Sequence, residues 1–140
     1  MKVVQNIATA KRLILENKTF IYSTDTLYGL GINALFEKNI QKIYEIKKRD
    51  KNISISVSVS YASMIDEIAY NSSSLIEKLT PGPFTFLLPP KEKLPKILYE
   101  KTNKIGVRIP DHKLLLNFLS EVRVPITSTS ANISGNKDPK

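Results

Sequence analysis

Cysteine is absent from all 140 residues, and histidine occurs once, as His112. Without cysteine there is no disulfide framework, no thiolate zinc site and no thiol nucleophile, a composition that suits a reducing compartment. One histidine cannot build a transition-metal site, and no Ser-His-Asp triad is legible around it. It follows Pro110 and Asp111 at an expected helix start, where a structural role is the ordinary one. The chain also lacks G-x-x-x-x-G-K-[ST] and G-x-G-x-x-G, so it encodes neither a P-loop nor a dinucleotide-binding turn. No hydrophobic run approaches a membrane span, and Lys11 and Arg12 interrupt what would be the apolar region of a signal peptide. The resulting expectation is a cytoplasmic protein with no membrane partner.

What the sequence does contain is ordinary in bulk and unusual in places. Hydrophobic residues make up 41% and charged residues 24%, which fits one folded domain spanning 1–140. Lysine and arginine number 21 against 13 acidic residues, and a net charge of +8 attracts anions such as nucleotides, phosphates or nucleic acid.

Val4, Ile7, Ala8, Ala10, Leu13 and Ile14 recur at helical spacing and predict an amphipathic helix over 4–17. Thr19 to Tyr22 reads as a short strand entering the polar loop Ser23-Thr24-Asp25-Thr26. Ile40, Ile43, Tyr44 and Lys47 lie on successive turns of a helix over 39–48 that ends in the basic run Lys47-Lys48-Arg49, where cations suit the helix dipole. From Ile53 to Ser60 isoleucine or valine alternates with serine, predicting a strand with one buried face and one face of hydroxyls. Two short helices are expected over 62–69 and 72–79. Strands follow at 84–88 and 105–109, each stopped by proline, then a helix over 111–121 and a last strand from Pro125.

Helices interleaved with strands argue for a layered sheet covered by helices. Thr24 to Thr26, Lys47 to Arg49, Arg108 and Ser128 to Asn132 all fall at element ends, where ligands bind in open sheets. Their cations, hydroxyls, amide and carboxylate suit a phosphorylated ligand held by charge and oriented by hydroxyls. Chemistry by positioning and electrostatic stabilisation follows, rather than covalent catalysis.

Five blocks in order give that site a family resemblance. Ser23-Thr24-Asp25-Thr26-Leu27-Tyr28-Gly29-Leu30-Gly31 resembles the P-T-E/D-T-x-Y-G-L signature of the YrdC-like, threonylcarbamoyl-AMP synthase family. Ile46 to Arg49 is similar to its I-K-x-R, Leu79 to Thr85 to its P-G-P element, and Ile105 to Pro110 to its G-V-R-x-P. Ser128-Thr129-Ser130-Ala131-Asn132 with Ser134-Gly135 resembles its S-T-S-A-N-x-S-G. Ser23 and Asp50 stand where that family usually has proline, and the chain lacks the C-terminal extension usual past S-x-N.

The resemblance implies an α+β, three-layer fold with a twisted mixed sheet, flanked by helices, around a basic concave cavity. It implies a nucleotidyltransferase that joins L-threonine, bicarbonate and ATP, with Mg²⁺, into threonylcarbamoyl-AMP and pyrophosphate. The product serves t6A modification of adenosine 37 in tRNA, with tRNA and the t6A-transferase proteins as possible partners. It assigns catalysis to Lys47, Arg49, Ser130 and Asn132, ATP binding to these and Ser128, and threonine binding to Thr24, Thr26, Tyr28 and Arg108. An RNA-binding module of the same fold, or a related carbamoyl-transfer domain, is the alternative.

Overall fold

A strand that alternates aliphatic and hydroxyl residues needs an apolar layer against one face, and the fold supplies it. The computed structural model describes residues 6–71 and 74–137. Helix α1 (Ile7–Leu15) leads into β1 (Phe20–Tyr22) and β2 (Gly29–Gly31), then α2 (Glu37–Lys47) and β3 (Ser56–Ser58). Two short helices, α3 (Ala62–Ile68) and α4 (Leu75–Leu79), precede β4 (Thr85–Leu88), a single 3-10 turn at Lys96–Leu98, and β5 (Ile105–Arg108). Helix α5 (Lys113–Val122) and strand β6 (Ile126–Ser130) complete the order.

The six strands form one mixed sheet in the order β1-β2-β6-β3-β5-β4, antiparallel throughout except for the parallel pair β3 and β5. One face carries Val57, Ile105 and Val107 into a core with Ile40, Ile43 and Tyr44 of α2, Met64 and Ile65 of α3, and Ile76 of α4. Against the other face, α1 and α5 bring Ala10, Ile14, Leu115, Phe118 and Leu119 onto Phe20, Tyr22 and Ile126. Helices, sheet and helices make the three layers.

Local chemistry sets where the elements begin and end. Asn6 caps α1 by accepting from Thr9 N–H at 2.8 Å, and Asn17 at φ +54° ends the path, so the helix is shorter than 4–17; Val4 lies outside the described residues. The α2 stripe of Ile40, Ile43, Tyr44 and Lys47 is buried, and Lys48 at φ +51° closes the helix with Arg49 N–H returning to Tyr44 O. Strand β3 starts three residues later than Ile53, because the Ile53 carbonyl is taken by the Tyr44 hydroxyl at 2.7 Å and is approached by Arg49. Of the helix expected over 72–79, Leu75–Leu79 is formed, and Ser72 lies outside the described residues. His112 caps α5, its Nδ1 accepting from Leu115 N–H at 3.3 Å, which gives the lone histidine a structural task.

The serine face of β3 is less open than the alternation suggests. Ser60 Oγ donates to Leu116 O of α5 at 3.1 Å, and Ser58 is fully buried beside β5 and β6.

Strand β2 is the element that propensity does not predict, since glycine holds two of its three positions. The Tyr22 ring explains them. A Cβ on Gly29 would sit 2.5 Å from Tyr22 Cζ, and one on Gly31 would sit 2.8 Å from Tyr22 Cε1. The ring crosses β2, and its hydroxyl donates to the Thr127 carbonyl of β6 at 2.7 Å. Burial pushes the phenol up to about 12, with a smaller opposing pull from Ser128, Ser58 and Arg108.

Two outcomes follow from this packing. Gly29→Ala should lose about 2–4 kcal/mol in urea denaturation, because the ring must leave its place and give up a buried hydrogen bond. The folded phenol also holds its proton to higher pH than an unfolded tyrosine. Its contribution is therefore complete below about pH 10 and is lost as pH rises toward 12. Unfolding midpoints of Tyr22→Phe should fall less steeply across that interval than those of the parent chain.

Candidate functional site

The polar loop after β1 is organised by a hydroxyl. Thr24 Oγ1 accepts from the N–H groups of Thr26 and Leu27, each at 3.1 Å, and donates to Leu27 O at 2.6 Å. That turn presents Asp25 and Thr26 to the end of β5. Arg108 donates to Thr26 Oγ1 at 3.0 Å and forms a close ion pair with Asp25. Its Nε also faces Gly82 O at 3.5 Å. Both charged side chains are nearly buried, at 11% and 14% exposure, so each offsets the desolvation of the other.

Around this pair lies a cleft of about 140 Å³, bordered by Thr24, Thr26, Tyr28, Thr85, Arg108 and the β6 residues Ser128 to Ser130. Register explains the convergence. Arg108 pairs with Thr85 and with Ser58, Ser56 with Ser128, and Ser130 with Gly29, so Thr85, Arg108, Ser128 and Ser130 share one face of the sheet, on a diagonal that runs from β4 to β6. The expected basic character is carried, among the residues lining this cleft, by Arg108 alone, and Asp25 balances it. The arrangement fits a small ligand with an anionic group and several hydrogen-bonding groups.

Lys47 does something different from what a basic run suggests. The side chain is only 1% exposed, and its Nζ donates to Ser130 O at 2.6 Å, Asn132 O at 3.0 Å and Asn132 Oδ1 at 3.1 Å. Ser130 Oγ donates to the same Oδ1 at 2.6 Å, while Ser134 N–H returns to Lys47 O at 2.8 Å. The ammonium therefore ties the end of α2 to the turn after β6. Arg49 turns away, donating to Ser54 O at 2.9 Å, and remains partly exposed.

The residues expected to act thus form two groups. Thr24, Thr26, Tyr28, Arg108, Ser128 and Ser130 share the cleft, while Lys47 and Asn132 meet Ser130 at its border. Arg49 makes its described bonds to the loop after α2. Thr85 and Tyr22 also line this cleft and were given no role from sequence, and Asp25, whose carboxylate was counted among the ligand-facing groups, is instead engaged by Arg108. For Asp25 a signal existed, a lone carboxylate between two threonines, but its partner is 83 residues away.

Comparison with known proteins matches this geometry to a family. The Sua5/YciO/YrdC family model, described as "Telomere recombination", covers residues 12–140. A Methanocaldococcus jannaschii protein is 41% identical over 132 residues, which are 92% of this chain and 61% of that protein. The Bacillus subtilis threonylcarbamoyl-AMP synthase is 33% identical, over 95% of this chain and 40% of its own length. The crystal structure of Pyrococcus abyssi Sua5 complexed with L-threonine superposes with a TM-score of 0.89 at 30% identity, covering 99% of this chain and 44% of that one. The chain therefore spans about two fifths to three fifths of these longer proteins. With the family model matched over residues 12–140 and five sequence blocks in order on a mixed six-stranded sheet, the chain belongs to the Sua5/YciO/YrdC family.

Proposed function

We propose that this chain carries the substrate-binding part of a threonylcarbamoyl-AMP synthase, acting on L-threonine, bicarbonate and ATP for t6A modification of tRNA. The observation that carries the reading is the cleft in which Arg108, held by Asp25 and Thr26, faces the hydroxyl row of β6. The likeness to a Sua5 structure complexed with L-threonine supports the choice of amino acid.

In this reading the threonine carboxylate pairs with Arg108, and Thr24, Thr26 and Tyr28 surround the amino acid. The threonine amine attacks the carbon of bicarbonate, and the C–OH bond breaks with loss of water to leave a carbamate. A carbamate oxygen then attacks the α-phosphorus of ATP, forming the new P–O bond as pyrophosphate departs with the electrons of the broken one. Two anions must meet, so fixed cations and donors lower the barrier. Arg49, Ser128, Ser130 and Asn132 form the nucleotide side, and Lys47 serves it by holding Ser130 and Asn132 in place. Among the described residues no group of three His, Asp or Glu side chains could hold a metal, and Asp25 is engaged by Arg108. The donor set fits Mg²⁺ carried by the ATP phosphates, where it would neutralise the departing pyrophosphate. Product transfer to tRNA by t6A-transferase proteins would follow.

Incubation with ATP, L-threonine, bicarbonate and Mg²⁺ should release pyrophosphate only when threonine is present. Threonine-independent release, or no binding of ATP and threonine by calorimetry, would overturn the reading; salt-sensitive affinity for RNA in its place would favour an RNA-binding module. Arg108→Ala should weaken threonine about tenfold or more while leaving ATP much less affected. Lys47→Ala should cost about 3 kcal/mol or more in urea unfolding and weaken ATP, because several buried acceptors lose one donor. Arg49→Ala should weaken ATP with little loss of stability.

A further inference from the structure

Tyr22 stands between the polar cleft and a second, largely apolar cleft of about 160 Å³ bordered by Ile7, Ala10, Phe20, Leu115 and Phe118. Neither the family blocks nor the substrate reading gives it a task. Its surroundings do. The ladder between β2 and β6 pairs Gly29 with Ser130 and Leu30 with Thr129, then resumes as a single bridge between Asn33 and Ile126. In the interruption lies Thr127, and each of its polar groups is taken. Its N–H donates to Ile32 O at 3.1 Å, its hydroxyl donates to Leu30 O at 2.9 Å, and its carbonyl accepts the Tyr22 phenol at 2.7 Å.

That carbonyl belongs to the same peptide plane as the Ser128 N–H. The phenol therefore sets the orientation of the peptide from which the hydroxyl row of the cleft begins. At its other end Tyr22 is the last residue of β1, two positions before Thr24, whose turn presents Asp25 and Thr26 to Arg108. One buried side chain thus joins the two walls of the cleft. The ring is fixed over Gly29 and Gly31 and meets Phe20 at 5.8 Å between centroids, so it acts as a stiff strut.

We propose that Tyr22 is a positioning residue chiefly for the threonine end of the site, holding the Thr24–Thr26 turn in register with Arg108 and, through the shared peptide, Ser128 where the two ends meet. The proposal rests on the substrate reading above. The Lys47 knot holds Ser130 and Asn132 through separate bonds, so of the nucleotide side only Ser128 depends on the phenol.

Tyr22→Phe, which keeps the ring and removes the hydroxyl, tests this in the full chain. Amide exchange should accelerate at Ser128 and in the Ser23 to Leu27 turn while α2 and its knot stay protected. L-threonine affinity should fall about tenfold and ATP affinity by clearly less, through Ser128 alone, since small misplacement of a binding group is costly. Unchanged exchange with unchanged threonine binding would overturn the proposal, as would equal losses for both ligands that simply follow the fall in melting temperature. Tyr22→Leu, lacking the ring, should be worse for threonine than Tyr22→Phe; the reverse order would also overturn it. A parent chain that binds no threonine overturns the substrate reading and this role together, whereas a binding parent with an indifferent Tyr22→Phe removes the role alone.

Discussion

Strand β6 is hydrogen-bonded to β2 on one side and to β3 on the other, and without it the sheet falls into two pieces. One piece is the β1-β2 hairpin, and the other is β3 with β5 and β4. Closing the sheet therefore waits on β6 pairing with residues about seventy positions earlier in β3 and about a hundred earlier in β2, non-local contacts whose loop entropy must be offset by burial. The offset comes from Ile126, buried against α5 and β1, and from Thr127, all of whose polar groups are bonded. The cleft lies at the same junction. Its geometry and the integrity of the sheet depend on one strand.

Charge is used here with economy. The chain carries a net +8, yet the two cations most closely tied to the site are fixed within the protein. Arg108 is paired with Asp25, which makes its near burial tolerable and orients the planar guanidinium. Lys47 gives its ammonium to carbonyl and amide oxygens of the Ser130 to Asn132 turn. A buried ammonium with such partners is a rigid strut, so the lysine contributes order where an exposed helix end would contribute only field. The general positive field remains for the exposed lysines, and it draws anions toward the molecule without choosing among them.

The hydroxyl row of β6 gains its meaning in this setting. Serine and threonine at a strand end ordinarily satisfy nearby backbone groups. Here Thr127 does so from within the sheet, while Ser128 and Ser130 border the cleft and Ser130 also enters the Lys47 knot. A single stretch therefore completes the sheet at one end and lines the cleft at the other.

Much of this was legible in the chain itself. The helical stripe of Ile40, Ile43, Tyr44 and Lys47, the alternation from Ile55 to Val59, and the prolines that stop β4 and β5 follow from periods and backbone chemistry that act within a few residues. The family likeness of their blocks also grouped Thr24, Thr26, Tyr28 and Arg108, and these four line one cleft. Tertiary structure alone decided the rest. Strand β2 exists because a tyrosine ring fills the space above its glycines, and propensity cannot register a side chain from a neighbouring strand. Lys47 is buried because oxygens from the end of β6 and the turn after it close over it, and Arg49 is drawn to the loop after α2. Asp25 and Arg108 find each other across 83 residues. Local pattern determines which face of an element is apolar, but the partner of a polar group is whatever the folded chain brings within 3 Å of it.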